Sequence, residues 1–327
     1  MTPEERTRHR AAFYTHRFGR IDAALAAFAV AVWWLWPLYL PLAVNVIVMI
    51  ILVMALDLAL GWGGIDALGH AAFYGLGAYW AANWAMHLSP EPITGLVTAG
   101  LAAAALGAVT GLAVLRARGL TQIMLTLTVA TLMYEIANAA KQWTGGDDGL
   151  TGFAVAPLFG AFEFSMMTST SYGYALGVLL VVYLLCRWLV NSPFGLSIRG
   201  IRENPTRMRV LGIPVDRRLL LLYTISAFFA GIAGALAAQT TQAVGLDSLA
   251  FVVSANAVIM LVLGGAGTLY GAFLGAMLFV VVSDRAAALD PANWLLGLGL
   301  MLILMVRYAP DGVFGLLQRG KREARKD

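Results

Sequence analysis

Four ionisable side chains interrupt apolar runs and are the first places to look for chemistry: Asp57, Asp66, His70 and Glu135. A charged or titratable group among hydrocarbon-like residues is costly, and is retained where it holds a solute, an ion or a partner group. Asp57 closes one apolar run, and Asp66 lies in the glycine-rich break after it. Gly69, His70 and Tyr74 open the next run. Each carboxylate either lines a wet cavity and holds a polar solute group, or sits solvated at an interface. For His70 the first reading is a buried neutral imidazole bonded to a carbonyl, with solute contact second. Glu135, beside Tyr134 and Asn138, either closes an outer gate or is an interfacial charge. In TGGDDGLTG, residues 144–152, Gly145 and Gly146 free backbone N–H groups next to Asp147 and Asp148. That arrangement could meet a delivered zwitterion or a binding partner, or be a tight surface turn.

The other concentration of polar chemistry is residues 191–218, NSPFGLSIRGIRENPTRMRVLGIPVDRR, where six arginines sit between long apolar runs. A segment this polar does not lie in lipid, and its charge assigns it to the cytoplasmic side. Its middle, Ser197 to Leu211, reads as a helix long enough to dock onto something. Arg199, Ile201, Arg202, Glu203, Asn204, Arg207, Leu211 and Gly212 are the residues it would use. Elsewhere the sequence has no G-x-x-x-x-G-K-[ST] loop, no Cys/His metal cluster and no usable Ser/His/Asp set. The lone Cys186 carries no disulfide argument. No metal is expected in this chain, and an energy source for moving solute would have to be an ion gradient or another subunit.

The elements that must position these residues follow from composition. The 327 residues are 60% hydrophobic and 12% charged, with mean hydropathy +0.77, outside the range of soluble domains. Apolar runs recur at the length a helix needs to cross roughly 30 Å of hydrocarbon. The 35 glycines suit closely packed membrane helices. The expected fold class is an all-α polytopic membrane protein with about ten transmembrane helices. Residues 1–20 form a cytoplasmic N-terminal segment, 21–318 the transmembrane domain, and 319–327 a basic cytoplasmic tail. Within the domain, 191–218 is the cytoplasmic loop and 138–171 an outer, periplasmic one. The expected spans are 21–40, 42–60, one ending near Leu88, 93–115, 120–137, 172–190, 219–239, 249–263, 269–283 and 294–307. Every arginine-rich loop then falls on one side, with both termini inside. Net charge +4 is a topology signal here and points to no nucleic acid. One internal echo is visible: Leu60 to Tyr79 resembles Leu263 to Ala276 in glycine placement. Paired gly-interrupted segments point to a transport path, whereas single glycines can simply permit close packing.

Taken in order, LGWGGIDALGHAAFYGLGAY, TGGDDGLTG, SPFGLSIRGIRENPTRMRVLGIPV, ISAFFAGIAGALAA, VLGGAGTLYGAFLGA and YAPDGVFGLLQR resemble the branched-chain amino-acid ABC transporter permeases of the LivM type. The likeness runs from about Ala43 onward. It implies an ABC importer permease fold that forms half of a translocation pathway in a bacterial inner membrane and works by alternating access. It also implies a LivH-type permease partner, two ATPase subunits that carry ATP and Mg, and a periplasmic solute-binding protein. This chain itself would be non-catalytic and without a cofactor. Residues 191–218 would be the ATPase-coupling segment, with Glu203, Asn204 and Gly212 on the family's E-N-x-x-x-x-x-x-x-G-I pattern. The chain departs from that pattern at Arg207 and Met208, where relatives have small alanines, and at Asp57, where they have asparagine. Ile65, Asp66 and Ala67 stand where relatives carry Gln-Leu-Ser. Leucine-type solutes are the default, with urea, amides and small organic acids as same-family alternatives. An ion-coupled secondary transporter is the reading from a different class, and only Asp57, Asp66 and Glu135 could supply its coupling-ion site.

Overall fold

The computed structural model describes residues 32–33, 37–157 and 169–291, with isolated positions between 293 and 315. Helix α1 (Leu40–Leu56) runs on into a π-helical turn, Asp57–Trp62. There follow α2 (His70–His87), α3 (Pro92–Val114), α4 (Leu120–Ala139) and the single turn α5 (Lys141–Thr144). After α6 (Ser169–Asn191) come two short helices, α7 (Pro193–Glu203) and α8 (Pro205–Val210). Then α9 (Val215–Thr241), α10 (Phe251–Gly264) and α11 (Leu269–Leu289) complete the described bundle.

Six of these helices are long and apolar enough to cross a membrane: α1 with its π turn, α3, α4, α6, α9 and α11. The expectation of about ten is therefore not met among the described residues, for two different reasons. The proposed spans 21–40 and 294–307 lie almost entirely outside the described residues. Two others fall short as crossings. Helix α2 is not among the apolar spans, and α10 has 14 residues, about 21 Å at 1.5 Å per residue. Both are the helical parts of interrupted segments. The boundaries of the remaining spans fall within a few residues of expectation, because Pro92, Pro193 and the arginines at 116, 118, 217 and 218 mark them, except that α11 runs on to Leu289 past the expected end at Ser283.

The core is organised around α1 and α9. Residues Ile50 to Ala59 of α1 are buried along their whole length. In α9 the run Ala230 to Leu236, AGIAGAL, is likewise buried. Small residues let backbones touch where no hydrophobic force separates helix from lipid. A β-carbon at Gly77 of α2 would meet the backbone of Gly231 in α9, and one at Gly234 would meet the Tyr74 carbonyl. Helix α3 packs beside α2 on α9, with Gly231 against Ala99 and Ala103 and Gly111 against Leu220 and Tyr223.

One end of the bundle gathers the arginine-rich loops. There lie the π turn, the α3–α4 loop with Arg116 and Arg118, α7, α8 and the α10–α11 turn. At the opposite end a two-stranded antiparallel ladder pairs Leu150 with Val244 and Thr151 with Ala243. The stretch 138–157 is thus partly ordered by pairing with the segment after α9, which an outer loop of mixed polarity did not reveal.

Replacing Gly77 by Leu should separate α2 from α9 and cost about 1–3 kcal/mol by overpacking. The thermal midpoint of the purified protein in detergent should drop by several degrees. Gly177→Leu, at a site with nothing within 4 Å, should leave it unchanged; equal midpoints for both variants would contradict the crossing.

Candidate functional site

After the π turn the chain gives up regular structure from Gly63 to Gly69 before α2 begins. Irregular backbone at membrane depth persists only where protein or water satisfies its peptide groups. Here protein side chains do so. The Asp66 N–H donates to Gln122 Oε1 (3.3 Å) and the Leu68 N–H to Thr126 Oγ1 (3.1 Å), both on α4. The Ala71 N–H donates to Ser254 Oγ of α10 (2.8 Å), and the Ile65 N–H to the Ala59 carbonyl (3.0 Å). Gly69 has a steric role: a β-carbon there would run into the Thr126 carbonyl.

His70 opens α2 and is almost fully buried. Ser226, near the middle of α9, donates its hydroxyl to the Ala55 carbonyl of α1 (2.6 Å). Its oxygen therefore accepts from His70 Nε2 (2.8 Å), which assigns the proton to Nε2 by the network. Phe73 and Tyr223 meet the imidazole edge-on at centroid distances of 5.7 and 6.4 Å. The bond expected to a carbonyl thus reaches one through a serine. Tyr74 is buried one turn further on, against Gly234.

Asp57 is not solvated: it is fully buried within the chain. Its Oδ2 accepts from the Trp62 indole (3.2 Å) and its Oδ1 from the Gly267 N–H (2.6 Å). Gly267 lies at φ +81° in the α10–α11 turn, a conformation that favours glycine. The two segments of the internal echo therefore touch each other here. A second pair of contacts brings in α7. The Arg199 guanidinium sits over the Trp62 ring, 4.0 Å from its centroid, and Arg202 Nη1 donates to the Gly61 carbonyl. Partial burial lowers the Arg199 pKa, and the Glu203 carboxylate opposes that shift. The guanidinium keeps its charge, as the cation–π contact requires.

The expected helix from Ser197 to Leu211 is two helices. Pro205 lacks an N–H and forces Asn204 into an extended conformation (φ −154°, ψ 95°). The Asn204 side chain then caps α8 by accepting from the Arg207 N–H at 2.9 Å. Helix α8 folds back so that Met208 lies against Gly200, a position where a β-carbon would come within 2.8 Å of the Met208 side chain. On α7, Ile198 and Ile201 are buried. Glu203, Asn204, Arg207, Val210, Leu211 and Gly212 are exposed, and Gly212 reverses the chain at φ +79°. Arg209 and Asp216 form a surface ion pair at 2.9 Å.

At the opposite end, Gly145 (φ +73°) and Gly146 (φ +64°) form the tight turn, and Asp147 and Asp148 are exposed on it. Thr144 holds the turn by donating to the Ala137 carbonyl (2.6 Å). Glu135 is exposed on α4, and Asp66 is exposed on the break. The structure thus joins Asp57, Arg199 and Arg202 into one node, next to the break that carries Asp66, Gly69 and His70. It leaves Glu135, Asp147 and Asp148 outside that node. Among the described residues no group of His, Cys, Asp and Glu is placed to hold a metal.

Sequence reasoning did not single out Trp62, Gly61, Gly267, Gln122, Thr126, Ser226 or Ser254. The available signal was the lone polar side chain in an apolar run, which must find a buried partner.

Residues 38–306 match the family described as branched-chain amino acid transport system / permease component. The chain is similar to the high-affinity branched-chain amino acid transport system permease protein LivM of Salmonella typhimurium and of Escherichia coli. It is 32% identical to each over 280 residues, which is 79% of this chain and 65% of theirs. It is also similar to the ribose import permease protein RbsC of Haemophilus influenzae, 26% identical over 227 residues, or 64% of this chain and 65% of that one. The chain thus spans 65% of the length of the LivM proteins it matches. No solved structure matches it.

Asp57→Ala would remove one partner of the Trp62 indole and strand the Gly267 N–H, at about 1–3 kcal/mol for a buried unpaired donor. The purified variant should unfold at a clearly lower temperature, and limited proteolysis should cut it faster within residues 193–212. A variant as stable and as protected as the parent would contradict the role given to this carboxylate.

Proposed function

The chain belongs to the branched-chain amino acid transport system permease family, and from that premise we propose that it is the membrane-spanning permease subunit of an ATP-driven importer. It forms half of a pathway for branched-chain or related amino acids, in a bacterial inner membrane. Its arginine-rich end is cytoplasmic, as the bias of Lys and Arg toward that side requires. Of two ATPase subunits carrying ATP and Mg, one takes hold of α7 and α8, a LivH-type permease supplies the other half of the pathway, and a periplasmic solute-binding protein docks near Asp147 and Asp148. The chain itself performs no catalysis.

One observation carries this reading: α7 is fastened to the bundle on one face and open on the other. Arg199 on Trp62 and Arg202 on Gly61 tie it to the π turn at the end of α1, and Leu196 and Glu203, about two turns apart on α7, stand exposed. A short helix held this way transmits rigid-body motion from a docked motor into the helices it touches. Through Trp62 and Asp57 that motion reaches the α10–α11 turn, and through the π turn it reaches the break before α2. Interrupted helices at membrane depth are where transporters place their solute sites.

The test is leucine uptake into vesicles reconstituted with the permease pair, the ATPases and the binding protein. Uptake should require ATP. Glu203→Arg, and Gly212→Pro at a φ that proline cannot adopt, should keep ATP hydrolysis but lose solute moved per ATP on the order of tenfold. Uptake by this chain alone, driven by a proton or sodium gradient and indifferent to ATP, would overturn the reading.

A further inference from the structure

Helix α4 is the least buried of the six spans, with 22% of its apolar window inside the chain against 72% for α1. Its buried positions, Gln122, Thr126, Ala130 and Ala137, make one face. At roughly 100° per residue, Thr121, Thr128 and Glu135 recur every second turn on the opposite face, with Met124 and Thr131 between them. All five are exposed. The apolar Leu125, Val129, Leu132 and Ile136 lie to one side of this stripe and Leu120, Ile123 and Leu127 to the other, Leu120 and Leu132 being exposed at its edges. A span that met lipid with its outward face would put those apolar residues at the centre and a carboxylate elsewhere.

The hydroxyls narrow what the stripe can meet. Thr128 Oγ1 donates to the Met124 carbonyl and Thr131 Oγ1 to the Leu127 carbonyl, each at 2.9 Å. With their protons committed to their own helix, these oxygens present lone pairs outward, and Glu135 adds two carboxylate oxygens. Helix α4 contains no lysine or arginine. A stripe dominated by acceptors favours a donor-rich complement. A dry helix contact would normally use glycine or alanine for close approach, and this face has only Ala139, at its very end.

We infer that this face of α4 lines a water-filled solute path, in which Thr121, Thr128, Thr131 and Glu135 form an acceptor track for the ammonium group of the solute. The inference rests on the transporter reading and adds the residues that select for a cationic, N–H-rich end. Glu135 sets the sign of the field along the track, and the threonine oxygens replace water around the passing ammonium.

The experiment labels introduced cysteines in membrane vesicles holding the complete transporter. The native Cys186 is fully buried and does not compete. Thr128→Cys and Thr131→Cys are compared with Leu125→Cys and Ile136→Cys off the stripe. The probes are membrane-impermeant methanethiosulfonates, one bearing a quaternary ammonium and one a sulfonate. The stripe positions should react on the order of tenfold faster than the off-stripe positions, and prefer the cationic probe by a similar factor. Adding Glu135→Gln should abolish that preference while leaving the positions reactive. Equal reactivity on and off the stripe, protection of the stripe positions, or no preference between the two probes would each overturn the inference. Labelling requires no turnover, so a dry stripe in a working importer defeats this inference alone. A wet stripe in a chain indifferent to ATP defeats only the transport reading.

Discussion

Peptide groups in an interrupted membrane segment must be hydrogen-bonded by the protein itself, and the rest of this structure depends on how that requirement is met. Between Gly63 and Gly69 the donors of the break find Gln122 and Thr126 on α4, and Ala71 at the head of α2 finds Ser254 on α10. Ser226 adds α9 and α1 to the same set through His70 and Ala55. An unsatisfied group in hydrocarbon costs several kcal/mol, so these bonds leave little freedom in where the broken ends sit. Five helices are thereby fixed about one irregular segment.

The same economy governs the arginine-rich end. A buried carboxylate is tolerated when its oxygens are occupied, and Asp57 meets that condition by joining the π turn to the α10–α11 turn. Trp62 is shared: its N–H goes to Asp57 and its ring receives Arg199. Displacing α7 therefore disturbs the π turn directly, and single π turns within α-helices recur at functional positions. Beyond Glu203 the connection softens. Asn204 breaks the helix and Gly212 reverses the chain, so α8 can follow a docked partner while α7 stays with the bundle.

Much of the architecture was legible because lipid imposes simple rules. Apolar length placed α1, α3, α4, α6, α9 and α11, and charge placed the α7–α8 segment at one end with Arg116 and Arg118. In the arginine segment one helix was expected across Pro205, and the missing N–H of that proline with the capping by Asn204 makes it two. The short α10 was not separable from a full crossing, since its residues are as apolar as those of a complete span. The site was legible in residue type rather than in partnership. Asp57, His70 and the arginines stood out as polar residues in apolar surroundings. What they bind did not, since Asp57 meets Gly267 across 210 positions and Trp62 meets Arg199 across more than a hundred. The glycine echo marked both segments without revealing that they touch.

The central claim is that α7 and the end of α1 move as one body during transport. A double-mutant cycle between Trp62 and Arg199 tests it most directly, using Trp62→Leu and Arg199→Gln with solute moved per ATP in reconstituted vesicles as the readout. Contact across the pair predicts that the double variant is scarcely worse than either single one, with an interaction of about 0.5–2 kcal/mol. Strictly additive losses would mean that the two residues act independently, and would contradict a rigid link between the docking helix and the broken helix.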